Sequence, residues 1–377
     1  MHRIGISLLA ALFLAVPLTP LARAADPIVV GEYGSMTGSE ATFGRSTDEG
    51  VQLAVKERNA AGGVLGRQIK LVLQDDQGKQ TEAVNAVTKL IESEHSVAII
   101  GEVASSLSLA GGEVAQSSGV PMISPSSTNA KVTKIGDMIS RVCFIDPFQG
   151  YVGASFAKDK LKLNKAAILF DNSQAYSTGL QTNFKNAFVK LGGSIVTEQS
   201  YSGADNDYSA QLTAIKNANP DFIYLPGYYT QVVNIARQAR KLGITVPFIG
   251  GDGWVSDDLK NAGDALDGCY FSDHYAKEDD RPEVKDFLQK YKAAYGHEPD
   301  SMAALGYDAA NLLFDAIGRA GTTDGKALAA AINSTKEFKA VTGTITIDEH
   351  RNAKKGAVMQ QLKNGSYSFF SRVEPAK

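Results

Sequence analysis

Residues 44–77 read GRSTDEGVQLAVKERNAAGGVLGRQIKLVLQDDQ. In the first half, apolar Val51, Leu53, Ala54 and Val55 stand among charges, which predicts a helix over residues 44–61 with one buried face. The run Ala61-Gly62-Gly63-Val64-Leu65-Gly66 ends that helix and turns the chain. Residues 68–74 then alternate, with Ile69, Leu71 and Leu73 on one side, as a strand does. The same alternation continues in both directions. Upstream, residues 27–33 form an apolar strand. Downstream come a helix at 81–93, a strand at 97–100, a helix at 109–117 and a strand at 120–123. After Pro147 a second series begins. Its helices are 150–161, 179–191, 209–217 and 231–242, and its strands 165–170, 193–201, 222–226 and 247–250. Helices at 282–295, 302–320 and 325–333, a strand at 344–347 and a hairpin of 357–363 with 367–370 close the chain. Short apolar strands separated by amphipathic helices predict an α/β fold with parallel sheets covered on both faces.

The ends and totals narrow the class. Arg3, the uncharged apolar run 4–16 and the small residues Ala22 and Ala24 around Arg23 have the order of a cleavable secretory leader spanning residues 1–24. The apolar run is too short for a comfortable membrane span, and no later stretch is long enough. The remaining length suggests two domains. Loss of Arg3 and Arg23 with the leader takes the formal charge from −3 to about −5. Lysine and arginine are scattered, which disfavours nucleic acid and anionic membrane as partners. The two cysteines, Cys143 and Cys269, lack CxxC spacing. In an exported protein they allow one disulfide, or two buried free thiols, and argue against metal or redox chemistry.

In open α/β sheets ligands bind at the carboxyl ends of the strands. Here the loops after the strands read GSMTGSEATFG, GEVASS, SPSSTN, FDNSQAYS, PGYYTQ and GGDGW. They are rich in Gly, Ser, Thr and Tyr, and their only charges are Glu40, Glu102, Asp171 and Asp252. Hydroxyls, backbone amides and aromatic walls suit a small polar solute. No G-x-S-x-G elbow, Walker loop, HExxH pair or Cys–His nucleophile is evident, and Gly31, Gly34 and Gly38 do not form a G-x-G-x-x-G. His95, His274, His297 and His350 share no spacing and read as core or surface residues. Neither an enzyme nor a cofactor is expected.

The stretch 44–77, together with IIGEVASS, PMISPSSTN and DFIYLPGYYTQVVNIARQARKLG, resembles the periplasmic branched-chain amino acid binding proteins of ABC transporters. The likeness runs from about Ile28 to the last strand. It implies the type I periplasmic binding fold, two Rossmann-like lobes joined by a hinge of three crossings. Lobe one would comprise residues 27–145 plus 273–345, and lobe two 146–272 plus 346–377. Cys143 and Cys269 would fall on the first two crossings, within reach of a disulfide. In the family that bond lies elsewhere, inside the first lobe.

The resemblance also implies a ligand set. Ser105 matches the family's serine, with Ala104 beside it, and Thr128 matches the partner threonine; these hold a carboxylate with help from a helix N-terminus. On their own, Ser105 and Ser106 also read as helix caps. Ser126 aligns with a position whose carbonyl takes an ammonium. Asp252 stands where the family has an acidic residue against that ammonium, usually the longer Glu; Asp252-Gly253 also reads as a plain turn. Tyr228 and Tyr176 match aromatic positions, with Pro226 replacing a glycine nearby. Phe43 replaces a tyrosine. Glu102 reads as a ligand contact or a helix brace, and Trp254 as a stacking or rim residue. The implied role is a periplasmic, monomeric solute-binding protein that closes around an amino acid and hands it to a membrane permease. The family's amide and urea binders, and a sensor of the same fold, are the alternatives.

Overall fold

The structure, a computed structural model, describes residues 25–374; the leader expected over residues 1–24 lies outside the described residues. Two parallel sheets organise it. The first contains β1 (Ile28–Gly34), β2 (Ile69–Asp75), β3 (Ala98–Ile100), β4 (Met122–Ser124) and β5 (Ile139–Arg141), in the order β2-β1-β3-β4-β5, all parallel. The second contains β6 (Lys165–Asp171), β7 (Ser194–Tyr201), β8 (Phe222–Leu225), β9 (Phe248–Gly250) and β10 (Tyr270–Asp273). The final hairpin, β14 (Ala357–Lys363) and β15 (Ser366–Val373), extends it antiparallel, giving the order β15-β14-β10-β9-β8-β6-β7. Between them in sequence, β11 (Phe338–Ala340), β12 (Gly343–Ile347) and β13 (Ala353–Lys354) form a small third sheet.

The central strands are continuous apolar runs because helices cover both faces. On the first sheet these are α1 (Ala41–Ala60), α2 (Gln80–Glu92) and α3 (Ser105–Ser117); the second carries α4 (Asp146–Ser155), α5 (Ala175–Lys190), α6 (Ser209–Asn217) and α7 (Tyr229–Lys241). After β10 come α8 (Pro282–Tyr295), α9 (Ser301–Ala320) and α10 (Gly325–Asn333), and α9 returns to lie along α1. Among the described residues no helix is long and apolar enough to cross a membrane.

The chain passes between the two sheets three times. The first passage runs from Arg141 to Asp146, and the second follows Asp273. The third differs. β12 runs to Ile347 and pairs with β13, and the Arg351 carbonyl accepts from the Arg141 N–H at 3.3 Å. The chain therefore stays beside the first sheet until Lys354 and joins the second at Ala357, later than the expected change at 345/346.

Several elements had too little apolar length to be read. β5 is only Ile-Ser-Arg, and β10 is Tyr-Phe-Ser-Asp. Helix α3 starts at Ser105, not at 109, because the polar SSLS turn is helical and buried. Helix α4 starts at Asp146, with Pro147 in its first turn, where proline's missing N–H costs nothing.

The disulfide expectation is corrected: Cys143 and Cys269 are both free and buried. They sit in different surroundings. The Cys143 thiol donates to the Ser127 carbonyl at 3.4 Å, while the Cys269 sulfur accepts from the Phe248 N–H at 3.3 Å. Burial pushes the thiols up to about 12 and about 11 respectively, so little thiolate forms near neutrality. We expect two reactive thiols in the denatured, unreduced protein and none in the native protein. A thiol count of zero after denaturation would restore the disulfide.

Candidate functional site

The carboxyl ends of both sheets face one another, and the side chains there meet across the gap. Phe43, Val103, Ser126 and Met302 line it from the first lobe, and Tyr176, Tyr228, Asp252 and Gly253 from the second. They close around a cavity of about 10 Å³, room for one water. The lobes touch directly around it. The Ser106 hydroxyl accepts from the Ala175 N–H at 2.9 Å, and the Asn129 amide donates to the Ala175 carbonyl at 2.6 Å. The Thr230 hydroxyl donates to the Ser39 carbonyl at 2.7 Å, and the Thr42 N–H to the Tyr229 oxygen at 3.3 Å.

Asp252 is the acidic centre. It opens a short 3-10 turn, Asp252–Trp254, and lines the cavity. One carboxylate oxygen accepts from the Gln149 amide at 2.7 Å; the other lies 2.8 Å from His274 Nε2 and 3.5 Å from the Ser126 hydroxyl. His274 stacks on Phe144, ring centroids 3.7 Å apart, and its Nδ1 has no partner. Burial pushes the imidazole down to about 4, against the pull of Asp252. The ring is therefore neutral at pH 7, with its Nε2–H assigned as donor to Asp252. Asp146 is raised by burial to about 7, against the pull of the Thr128 hydroxyl. Asp252 is thus held by neutral donors and lines the cavity.

This gives a pH prediction. His274 titrates near 4 folded and near 6.5 unfolded, so between these values the unfolded state binds more protons. Stability is lost as pH falls through that window, by about 2 kcal/mol at pH 5. A His274→Gln variant lacks this loss. The stability gap between wild type and variant, from urea unfolding, should narrow by that amount between pH 7 and pH 5; a constant gap contradicts the assignment.

The first-lobe loops are braced from behind. Fully buried Arg141 donates to the Ser127 carbonyl and, at 2.9 Å, to the Asn129 carbonyl, fixing the loop that carries Ser126 and Thr128. The Thr128 hydroxyl is buried beside Asp146. Ser105 and Ser106 are not caps. Ala104 is the N-cap residue of α3, and Ser105 Oγ accepts instead from the Asn129 N–H at 3.2 Å. The first-turn amides of α3 are consequently left to the helix end. Glu102 proves to be the brace: its carboxylate takes the Ala104 N–H and, at 3.2 Å, the Ser35 N–H, and it does not line the cavity. Burial and the nearby Asp76 raise its pKa.

The aromatic wall is formed by Tyr176 and Tyr228, stacked at 5.2 Å and 9°, with Phe43 edge-on to Tyr228 at 5.7 Å. The Tyr176 hydroxyl accepts from the Gly253 N–H at 3.1 Å, and the Tyr228 hydroxyl is buried without a partner. Trp254 does not belong to this wall. Its ring is fully buried in the second lobe, its Nε1–H donates to the Leu225 carbonyl at 3.0 Å, and it packs against Gly250 and Phe271. The bulk of the indole is accommodated only because position 250 has no side chain.

Gln149, Val103 and Met302 carry no role in the sequence pattern, and His274 and Gly253 read there only as a core or surface residue and a turn residue. Gln149 carried one usable signal: Asp146-Pro147 is a helix start, which places Gln149 in a first turn at a crossing. His274 carried none, because what matters is its partner on a distant turn.

Residues 27–366 match the family described as periplasmic binding protein. A leucine-, isoleucine-, valine-, threonine- and alanine-binding protein of Pseudomonas aeruginosa is 29% identical over 93% of this chain and 94% of its own. The crystal structure of a leucine binding protein from Thermotoga maritima superposes with a TM-score of 0.89 at 41% identity, covering 92% of this chain and 99% of that one. A branched-chain amino acid transporter substrate binding protein from Streptococcus pneumoniae, in complex with isoleucine, gives 0.86 at 32%, over 91% and 99%. A solute binding protein of an ABC transporter from Rhodopseudomonas palustris, in complex with 3,4-dihydroxybenzoic acid, gives 0.83 at 26%, over 93% and 98%. With two parallel sheets linked by three crossings and a cleft site between them, this chain belongs to the periplasmic binding protein family and has its type I fold.

Proposed function

We propose that this chain is the solute-capturing component of an ABC importer, and that its solute is a small aliphatic amino acid of the leucine, isoleucine and valine class. The observation that carries the solute class is Asp252: a buried carboxylate held by neutral donors, in a cavity otherwise walled by Phe43, Val103, Tyr228 and Met302. The ammonium goes to Asp252 and the Ser126 loop. The carboxylate goes to Ser105, Thr128 and the N-terminal amides of α3, where the helix dipole favours an anion. The aliphatic side chain faces Phe43 and Met302. Relatives named for leucine, isoleucine and valine support the same class.

The lobes close by rotation about the three crossings. A solute touching both lobes binds the closed form more tightly, and that difference shifts the population. The closed surface then docks on a membrane permease. No step calls for bond breaking, and a monomer exported by its leader suffices. Uptake of radiolabelled leucine by cells lacking this chain tests the importer role. Uptake should fall when leucine is scarce and return with the chain; unchanged uptake would favour a sensor.

A second reading, an aromatic carboxylate, is favoured by the stacked Tyr176 and Tyr228 and by the relative in complex with 3,4-dihydroxybenzoic acid. Such a solute has no cation for Asp252, which is why the amino acid is preferred.

A further inference from the structure

Ala175, the first residue of α5, is gripped from the other lobe through both of its main-chain groups. The Ser106 hydroxyl accepts from its N–H at 2.9 Å, and the Asn129 amide nitrogen donates to its carbonyl at 2.6 Å. The first of these bonds is a helix cap supplied across the cleft. Gln174, the N-cap residue of α5, makes no cap with its own side chain, so the Ala175 N–H is one of the orphan donors of that helix end. Both gripping side chains are buried, which shields the bonds from water. The Asn129 amide is oriented by a second bond: its Oδ1 accepts from the Lys131 N–H at 2.9 Å, which turns the nitrogen toward α5.

Each of the three segments that meet here also carries a neighbour directed to the solute site. Ser105 precedes Ser106 and Thr128 precedes Asn129, and the proposed binding mode gives the solute carboxylate to Ser105 and Thr128. Tyr176 follows Ala175 and lines the cleft cavity. The two first-lobe segments are joined, since Ser105 Oγ accepts from the Asn129 N–H at 3.2 Å. That bond uses a lone pair of Ser105 and leaves its O–H free to donate to a carboxylate. A carboxylate held between Ser105 and Thr128 therefore fixes the two segments in the register in which Ser106 and Asn129 reach Ala175. Room for the contact depends on Gly179, one turn along α5. A Cβ there would lie 2.5 Å from Asn129 Nδ2 and 2.4 Å from Asp146 Oδ2.

We propose that Ser106 and Asn129 form a latch on Ala175 that couples carboxylate capture in the first lobe to closure of the second, with Gly179 left bare to admit it. The coupling rests on the proposed binding mode, whereas the latch itself does not.

Titration and stopped-flow kinetics with L-leucine on three variants test it. Ser106→Ala removes only the cap. Asn129→Asp keeps the oxygen that accepts from Lys131 and sets an acceptor in place of a donor against the Ala175 carbonyl. Gly179→Ala adds a methyl whose obstacles are both side-chain ends, so the chain folds and Asn129 swings aside. Affinity should fall about fivefold for Ser106→Ala, the worth of one cap, and at least about tenfold for the other two. The loss should lie in faster dissociation, with association changed by less than about twofold. Hydrogen exchange gives a second readout that needs no solute. The Ala175 amide should exchange faster in Ser106→Ala than in the wild type, with leucine or without it. Unchanged affinity in all three variants, a loss carried by association alone, or equal exchange at Ala175 would each overturn the latch. Failure of the wild type to bind leucine would overturn the proposed solute instead, and the exchange comparison would still decide the latch.

Discussion

Asp252→Ala lowers the affinity for an aliphatic amino acid by about 100-fold, roughly 3 kcal/mol, while its deaminated analogue, the plain carboxylic acid, loses less than about fivefold. The size follows from burial. Asp252 is 2% exposed, so water cannot replace it as the partner of a buried ammonium. The asymmetry follows from the proposed binding mode, in which the carboxylate end of either ligand meets Ser105, Thr128 and α3, which the substitution leaves alone. The variant also strands the Gln149 amide and the His274 Nε2–H, a cost of about 1–3 kcal/mol in fold stability. That cost is common to both ligands and cancels in the comparison. Titration calorimetry with the paired ligands reads it directly. Equal losses for the two would remove the ammonium from Asp252.

Gly50→Ala destabilises the fold by about 3 kcal/mol, although it adds a single methyl to a helix. Helices α1 and α9 cross in close contact: a Cβ at Gly50 would lie 2.0 Å from the Ala303 carbonyl oxygen, and one at Gly306 would lie 2.4 Å from the Thr47 oxygen. Both obstacles are backbone, so no rotamer change relieves them and the helices must separate. On helix propensity alone alanine would gain about 1 kcal/mol over glycine, so the sign of the result separates packing from propensity. The consequence reaches the site, because α1 carries Phe43 in its first turn and α9 carries Met302 in its first turn. Urea unfolding should show the loss, and titration a weaker solute affinity. A variant as stable as the wild type would mean that the crossing is not tight.

Much of this architecture was legible because its signals are local. Periodicity located nearly every helix and the longer strands within a few residues, and the Gly- and Ser-rich loops after the strands are those that line the cleft. Ser126, Tyr176, Tyr228, Asp252 and Phe43 line one cavity. What escaped depends on distances between segments. Trp254 looked like a wall residue from its place two positions after Asp252, but a 3-10 turn sends its ring into the core behind Gly250. Glu102 turned inward because two backbone N–H groups needed an acceptor. Gln149 and His274 come from different crossings and meet only at Asp252. The third crossing shifted because β13, two residues long, carries no readable pattern.

The proposed function requires that the cleft recognise an ammonium beside an aliphatic chain. The most direct test is calorimetric titration of protein unfolded, stripped of any bound solute by dialysis and refolded. L-Leucine, L-isoleucine and L-valine are compared with benzoate, 3,4-dihydroxybenzoate and 4-methylpentanoate. Saturable one-site binding of the amino acids is expected, at least about tenfold tighter than that of any ligand lacking an ammonium, a difference of about 1.4 kcal/mol. Tighter binding of the aromatic acids or of 4-methylpentanoate than of leucine would contradict it.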